Sequence, residues 1–211
     1  MKVVIAQMKH ETNTFSPVPT RLARFARGGG VPPQGKDAYA IYDPDAVQAM
    51  IRAGIGAELT LPLRGRLDMP SIGRKGEPRV VSGNVKLISD GRFRNRGPMG
   101  RGEQMDMGPT VVFDTGRVEI VVISRHQEPN DYACLLSAGI GPEAKRFLML
   151  KSRVHWRAGF KPITKAIVAC AGVGVCTSDY GMLDFKRVRR PIFPLDAMNA
   201  ARNCRNAARH E

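Results

Sequence analysis

A histidine and a glutamate, His10 and Glu11, stand side by side just after the β-branched run Lys2–Met8. Imidazole and carboxylate at the carboxyl end of a buried strand sit where open α/β sheets place ligands. They offer two metal ligands, or one ligand and a general base. The string His10-Glu11-Thr12-Asn13-Thr14 starts like the His-Glu-x-x-His zinc motif. However, its fifth residue is Thr14 and it lies on a turn, so that mechanism is excluded. Taken alone, the pair is better read as stabilising its own turn beside Asn13 and Thr14.

A second group follows the apolar run Phe147–Leu150: Lys151, Ser152, His155 and Arg157, with Trp156 among them. Lys, Ser, His and Arg crowded at a strand end suit an anion such as a substrate carboxylate. A histidine packed on the aromatic ring with a structural arginine is an equal alternative.

A catalytic zinc needs about three protein ligands and one open position. The histidines are His10, His126, His155 and His210, and no Asp-x-His or His-x-x-x-His pair occurs. His126 reads as a solvated loop residue at the end of a strand, and His210 as incidental. Cys134, Cys170, Cys176 and Cys204 are irregularly spaced, as expected of reduced thiols in a cytoplasmic protein. A zinc site on Cys170 and Cys176 is the weaker reading beside small buried or loop thiols. There is no P-loop and no Gly-x-Ser-x-Gly elbow.

The net charge of +14 attracts polyanions. Basic residues cluster only at Arg92–Arg101 and Lys186–Arg190, without the aromatic set of a base-stacking platform, so a solvated arginine-rich surface is preferred over nucleic-acid binding. The longest apolar runs fall short of the roughly 18 residues of a membrane helix. Val3–Ala6 is too short for a signal-peptide core.

The elements that must position these groups follow from period and punctuation. Lys2–Met8 predicts a buried strand, Thr20–Ala26 a short helix, and Gly28–Ala40 a Gly/Pro-rich loop. Asp43 as N-cap, Pro44 in the first turn, and Ala46, Val47, Met50 and Ile51 on one face predict a helix ending at Gly54. Strands are expected over Glu58–Leu63, Arg79–Ser89 (irregular near Gly83-Asn84), Phe147–Lys151 and Lys165–Ala169. Thr110–Phe113 and Arg117–Ser124 flank Asp114-Thr115-Gly116 as a hairpin. Asn130 or Asp131 caps a short helix reaching Ser137. The fold expected is α/β: a mixed sheet with antiparallel hairpins and short helices, preceded by a short strand-loop remnant. A lone first strand has no neighbour in sequence to pair with.

Residues 2–20, KVVIAQMKHETNTFSPVPT, resemble the N-terminus of the microcystinase C (MlrC-type) metallopeptidase family. RFARGGGVPP resembles the stretch that follows. The resemblance passes at YDPDAVQAMIRAGIGAELTLPLRGR to the family's C-terminal domain, and continues through SDGRFRNRGPMGRGEQMDMGPTVVF, VEIVVISRHQEPND, GIGPEAKRFLMLKSRVHWRAGF and RRPIFPLD.

The family's intervening metal-binding domain, with its Asp-x-His-type zinc ligands, has no counterpart here; the junction falls near Pro33–Ile41. The resemblance therefore implies three parts: residues 1–40 as a remnant of the metallopeptidase domain, 41–196 as the MlrC-like C-terminal domain, and 197–211 as a flexible tail. It implies zinc-dependent hydrolysis of short linear peptides, with His10 and Glu11 as surviving catalytic and metal-site residues. The family's KSxxHFRA-like string persists as Lys151, Ser152, His155 and Arg157, expected to line the substrate cleft, with Trp156 in place of the usual Phe.

With most ligands missing, activity is expected to be weak or absent, unless His10, Glu11 and His155 converge, for example across a homodimer. The alternatives are a non-catalytic basic module for acidic peptides or nucleic acid, and a deletion product without function.

Overall fold

The computed structural model describes residues 4–8, 36–63, 68, 70, 73, 76, 78–152, 154–170 and 180–196. Ten strands are formed among them: β1 (Val4–Met8), β2 (Asp37–Tyr42), β3 (Glu58–Leu63), β4 (Arg79–Ser89), β5 (Arg92–Arg94), β6 (Gln104–Asp106), β7 (Thr110–Asp114), β8 (Val118–Ile123), β9 (Phe147–Leu150) and β10 (Ala166–Cys170). Three α-helices accompany them: α1 (Pro44–Ala53), α2 (Ala133–Leu136) and α3 (Trp156–Phe160).

Eight strands form one sheet in the order β10-β1-β9-β2-β8-β7-β4-β3, and β5 and β6 form a separate hairpin. Strands β10, β1, β9, β2 and β8 run parallel. Strands β7, β4 and β3 continue the sheet antiparallel. The mixed α/β architecture expected from the sequence is therefore present. Strand β1 finds its partners far along the chain, Gln7 lying opposite Leu150 on one side and Ala169 on the other.

The centre of the sheet is buried on both faces, which is why β7 and β8 read as nearly unbroken apolar runs. Side chains alternate across a strand. Thus Val111, Phe113, Ile120 and Val122 pack beneath α1 with Val47 and Met50. Val112, Val121 and Ile123 face the opposite layer with Leu135, Leu148, Leu150, Trp156 and Phe160. Helix α1 starts where the sequence placed it: the Asp43 carboxylate accepts from Ala46 N–H at 3.1 Å.

The β7–β8 turn also follows the sequence, with Asp114 Oδ1 accepting from Gly116 N–H at 2.8 Å and Gly116 at φ +85°. The β4 irregularity lies slightly later than expected, between Val85 and Leu87.

Three features differ from the sequence reading. Residues 37–40, expected to be loop, belong to β2 at the centre of the sheet; the small Ala38 and Ala40 carry little β signal but fit between neighbours. The β5–β6 hairpin and α3 were not anticipated, being three-residue strands and a five-residue helix too short to show a period. The expected helix at Thr20–Ala26, the rest of the Gly28–Ala40 loop and the tail at 197–211 lie outside the described residues.

At the amino edge of the parallel strands, buried Glu119 accepts from both Lys86 and Lys145, and Asp114 from Lys36. Burial pushes the Glu119 carboxyl upward, but the hydrogen bonds from Lys145 and Lys86 outweigh it and hold the group below its ordinary value. Asp114 is lowered in the same way, burial being overcome by Lys36. A carboxylate depressed in the folded state contributes stability above the ordinary carboxylate range and loses it as pH falls through the folded value. Glu119→Gln leaves the nearly buried Lys145 ammonium without its anion and is expected to cost about 3–5 kcal/mol at neutral pH. Urea unfolding should show that gap narrowing as pH falls below about 4; a gap independent of pH would mean that this network does not govern acid stability.

Candidate functional site

Because β8, β2, β9, β1 and β10 run parallel, their carboxyl ends share one edge of the sheet. In open α/β sheets ligands bind at this edge. It gathers Tyr42 at the end of β2, His126-Gln127-Glu128-Pro129 after β8, and Lys151-Ser152 after β9. A cavity of about 260 Å³ opens here, lined by residues that include Ile41, Tyr42, His126, Glu128, Pro129 and Lys151. The Tyr42 and His126 rings stack on its wall, with centroids 3.6 Å apart and planes at 23°.

Glu128 organises the group. Its Oε1 accepts from Ser152 Oγ–H at 2.5 Å, and its Oε2 lies 2.9 Å from His155 Nδ1. Ser152 is fully buried, and its Oγ also accepts from Trp156 N–H at 3.1 Å, fastening the start of α3 to the same carboxylate. Helix α3 is held from below by Trp156 and Phe160, both inaccessible to solvent. Arg157 leans over the Trp156 ring, its Cζ 4.9 Å from the centroid. His155 remains about half exposed.

The Glu128 loop is set by Asp131, which is 1% exposed. Its Oδ1 accepts from Ala133 N–H at 2.8 Å, capping α2. Its Oδ2 accepts from Arg96 N–H at 2.9 Å and Gly97 N–H at 2.5 Å, tying in the β5–β6 hairpin. Gly159 of α3 packs on the same loop so closely that a Cβ there would lie 2.7 Å from both Asn130 O and Asp131 Cα.

Lys151, Ser152, His155 and Arg157, singled out in the sequence, thus lie on one segment that runs from the end of β9 into α3. His10 and Glu11 lie outside the described residues. Glu128 was missed, as was the pairing of His126 with Tyr42. The available signal was the polar string Gln127–Asp131 directly after a buried strand, a position favoured for functional side chains.

The donor set does not amount to a catalytic zinc site. Among the described residues no group of three or more His, Cys, Asp and Glu side chains is placed to hold a metal. The Glu128 carboxylate is engaged by Ser152 and His155. Cys134 is a buried residue of α2, where burial, reinforced by Asp131, pushes its thiol up to about 12. No helix among the described residues is long and apolar enough to cross a membrane.

Known proteins share this architecture. Residues 23–187 match the family model described as "MlrC C-terminus". Microcystinase C of Sphingomonas sp. is 24% identical over 156 residues, covering 74% of this chain and 28% of that protein. A crystal structure of a proposed metallopeptidase from Mesorhizobium sp. BNC1 superposes with a TM-score of 0.72 at 20% identity, over 93% of this chain and 38% of the other. The chain therefore spans about a third of the length of each relative.

Two outcomes are expected from this geometry. Ser152→Ala removes one hydrogen bond to a carboxylate and leaves Trp156 N–H buried without its acceptor, so urea denaturation should report a loss of roughly 1–3 kcal/mol. Cys134 should resist a thiol reagent at about pH 8 in the folded protein and react once urea unfolds it; rapid labelling of Cys134 in the native state would contradict the burial described.

Proposed function

Since the chain belongs to the MlrC C-terminus family, we propose that it supplies the peptide-holding wall of a metal-dependent peptidase site acting on short linear peptides. The observation that carries this reading is the convergence of Glu128, Ser152 and His155 beside the carboxyl-edge cavity, with Lys151 and Arg157 on the same segment. Lys151 and Arg157 are the cations proposed to take the peptide's terminal carboxylate by charge-assisted hydrogen bonds. Ser152 holds the segment in place from below, and the stacked Tyr42 and His126 give the cavity a flat wall against which a side chain can lie.

Zinc is the metal expected of the family reaction, in which a metal-bound water attacks a polarised carbonyl. The His10-Glu11 pair is the chain's proposed contribution to holding it. The described residues do not complete a site, so hydrolysis by this chain alone is expected to be weak or absent. The proposed setting is cytoplasmic, and a homo-oligomer would bring further ligands together.

A basic binding module is the rival reading, favoured by one observation. Arg92 and Arg94 alternate outward from β5, and exposed Arg96 and Arg101 follow. Nucleic-acid binding through these residues would weaken steeply with salt.

Calorimetry with a short linear peptide, compared with its C-terminally amidated form, tests the first reading. Lys151→Ala and Arg157→Ala are each expected to weaken binding of the free acid about tenfold, in line with roughly 1.4 kcal/mol for a charge-assisted contact. Equal affinity for acid and amide, unaffected by either substitution, would remove the reading. Zinc content after dialysis against metal-free buffer and refilling with one equivalent measures the metal separately. Stoichiometric retention together with robust zinc-dependent turnover would refute the expected impairment.

A further inference from the structure

The Glu128 carboxylate sits between two groups that cannot both treat it alike unless it accepts from each. Ionised, it has no proton to give. At 2.5 Å Ser152 must therefore donate its O–H to Oε1, and at 2.9 Å His155 must donate from Nδ1 to Oε2. The serine oxygen in turn accepts from the backbone N–H of Trp156 at 3.1 Å, which fixes its place beside the carboxylate. Buried Trp156 and Phe160 fix α3, and with it the backbone of His155 relative to Glu128.

The geometry points to Glu128 as a positioning residue that locks His155 in the Nδ1–H tautomer, so that Nε2 presents an acceptor lone pair on the side away from Glu128. The partner of a histidine's second nitrogen selects its tautomer in this way. An exposed neutral histidine without such a partner favours the opposite form. The two ring nitrogens point in divergent directions, so Nε2 faces away from Glu128, on a side chain that is 53% exposed.

An acceptor at this place does not bind a carboxylate. It takes an N–H, and in a peptide ligand that is the amide or amino group. His155 thus reads one pole of the peptide while Lys151 and Arg157 read the other. This last step rests on the peptide-binding reading; the tautomer itself does not.

The test is long-range ¹⁵N–¹H correlation spectroscopy of the imidazole rings at about pH 9, where an ordinary histidine is neutral, with His155 assigned by comparison with His155→Gln. In the wild-type protein Nδ1 is expected to carry the proton and Nε2 to resonate as the unprotonated nitrogen. Glu128→Ala should revert His155 to the Nε2–H form. Glu128→Gln, which keeps an acceptor oxygen and the side-chain volume, should retain the wild-type pattern.

A wild-type His155 protonated on Nε2, or a folded Glu128→Ala variant with the wild-type pattern, would overturn the inference. The wild-type spectrum decides the tautomer even if the alanine variant does not fold. Adding saturating tri-alanine should move the His155 Nε2 resonance toward its hydrogen-bonded position without moving the proton. An unmoved resonance on a peptide-bound protein would overturn the acceptor role. Absence of peptide binding with the Nδ1–H form intact would instead count against the peptide-binding reading and leave the tautomer assignment standing.

Discussion

One buried carboxylate, Asp131, fixes the relation between three pieces of chain. Its oxygens take N–H groups from Arg96, Gly97 and Ala133. Buried polar groups must have their hydrogen-bonding capacity satisfied, and three backbone donors do that here. The β5–β6 hairpin, the cap of α2 and the loop carrying Glu128 are consequently held to one point. Gly159 brings α3 onto the same loop at a distance only a residue without Cβ permits. The placement of Glu128 opposite Ser152 and His155 follows from these contacts, since both sides of that contact are anchored through residues 130 and 131.

The sheet separates two kinds of electrostatics. At the amino edge, Glu119 and Asp114 are paired with three lysines in a cluster that ties strands together. At the carboxyl edge His126, Glu128 and Lys151 line open space, and His155 beside them is half exposed. The parallel run of five strands produces this division. It sends all crossover loops of one kind to one side, where they can vary, and keeps tight turns such as Thr115-Gly116 on the other.

Much of the fold was legible because it rests on local rules. Asp43-Pro44 announces α1, Asp114-Thr115-Gly116 the hairpin, and the apolar runs of β7, β8 and β9 the strands themselves. Strand β2 was not legible in full: Asp-Ala-Tyr-Ala carries little β propensity, and its place depends on β8 and β9, which arrive some eighty and more residues later. Of the site, Lys151, Ser152, His155 and Arg157 stood out because four polar side chains crowd a strand end. Glu128 did not, because its partners are 24 and 27 residues away and a lone glutamate before a proline resembles any surface loop. Residue types announced the possible chemistry, while the pairing that orients the imidazole came only from tertiary contact.

The position of β1 also constrains how this chain is made. It lies between β9 and β10, so residues 4–8 can complete their hydrogen bonds only after residue 170 has been synthesised. The hairpins from β4 to β8 close over short distances and need not wait, but β1, made before them, is among the last of the described strands to be satisfied. Contacts so distant in sequence slow folding, because the intervening chain must be closed before they return any stabilisation. During synthesis the apolar segment Val4–Met8 is therefore an unpaired strand awaiting its slot, the kind of segment that chaperones shield and that neighbouring nascent chains can capture.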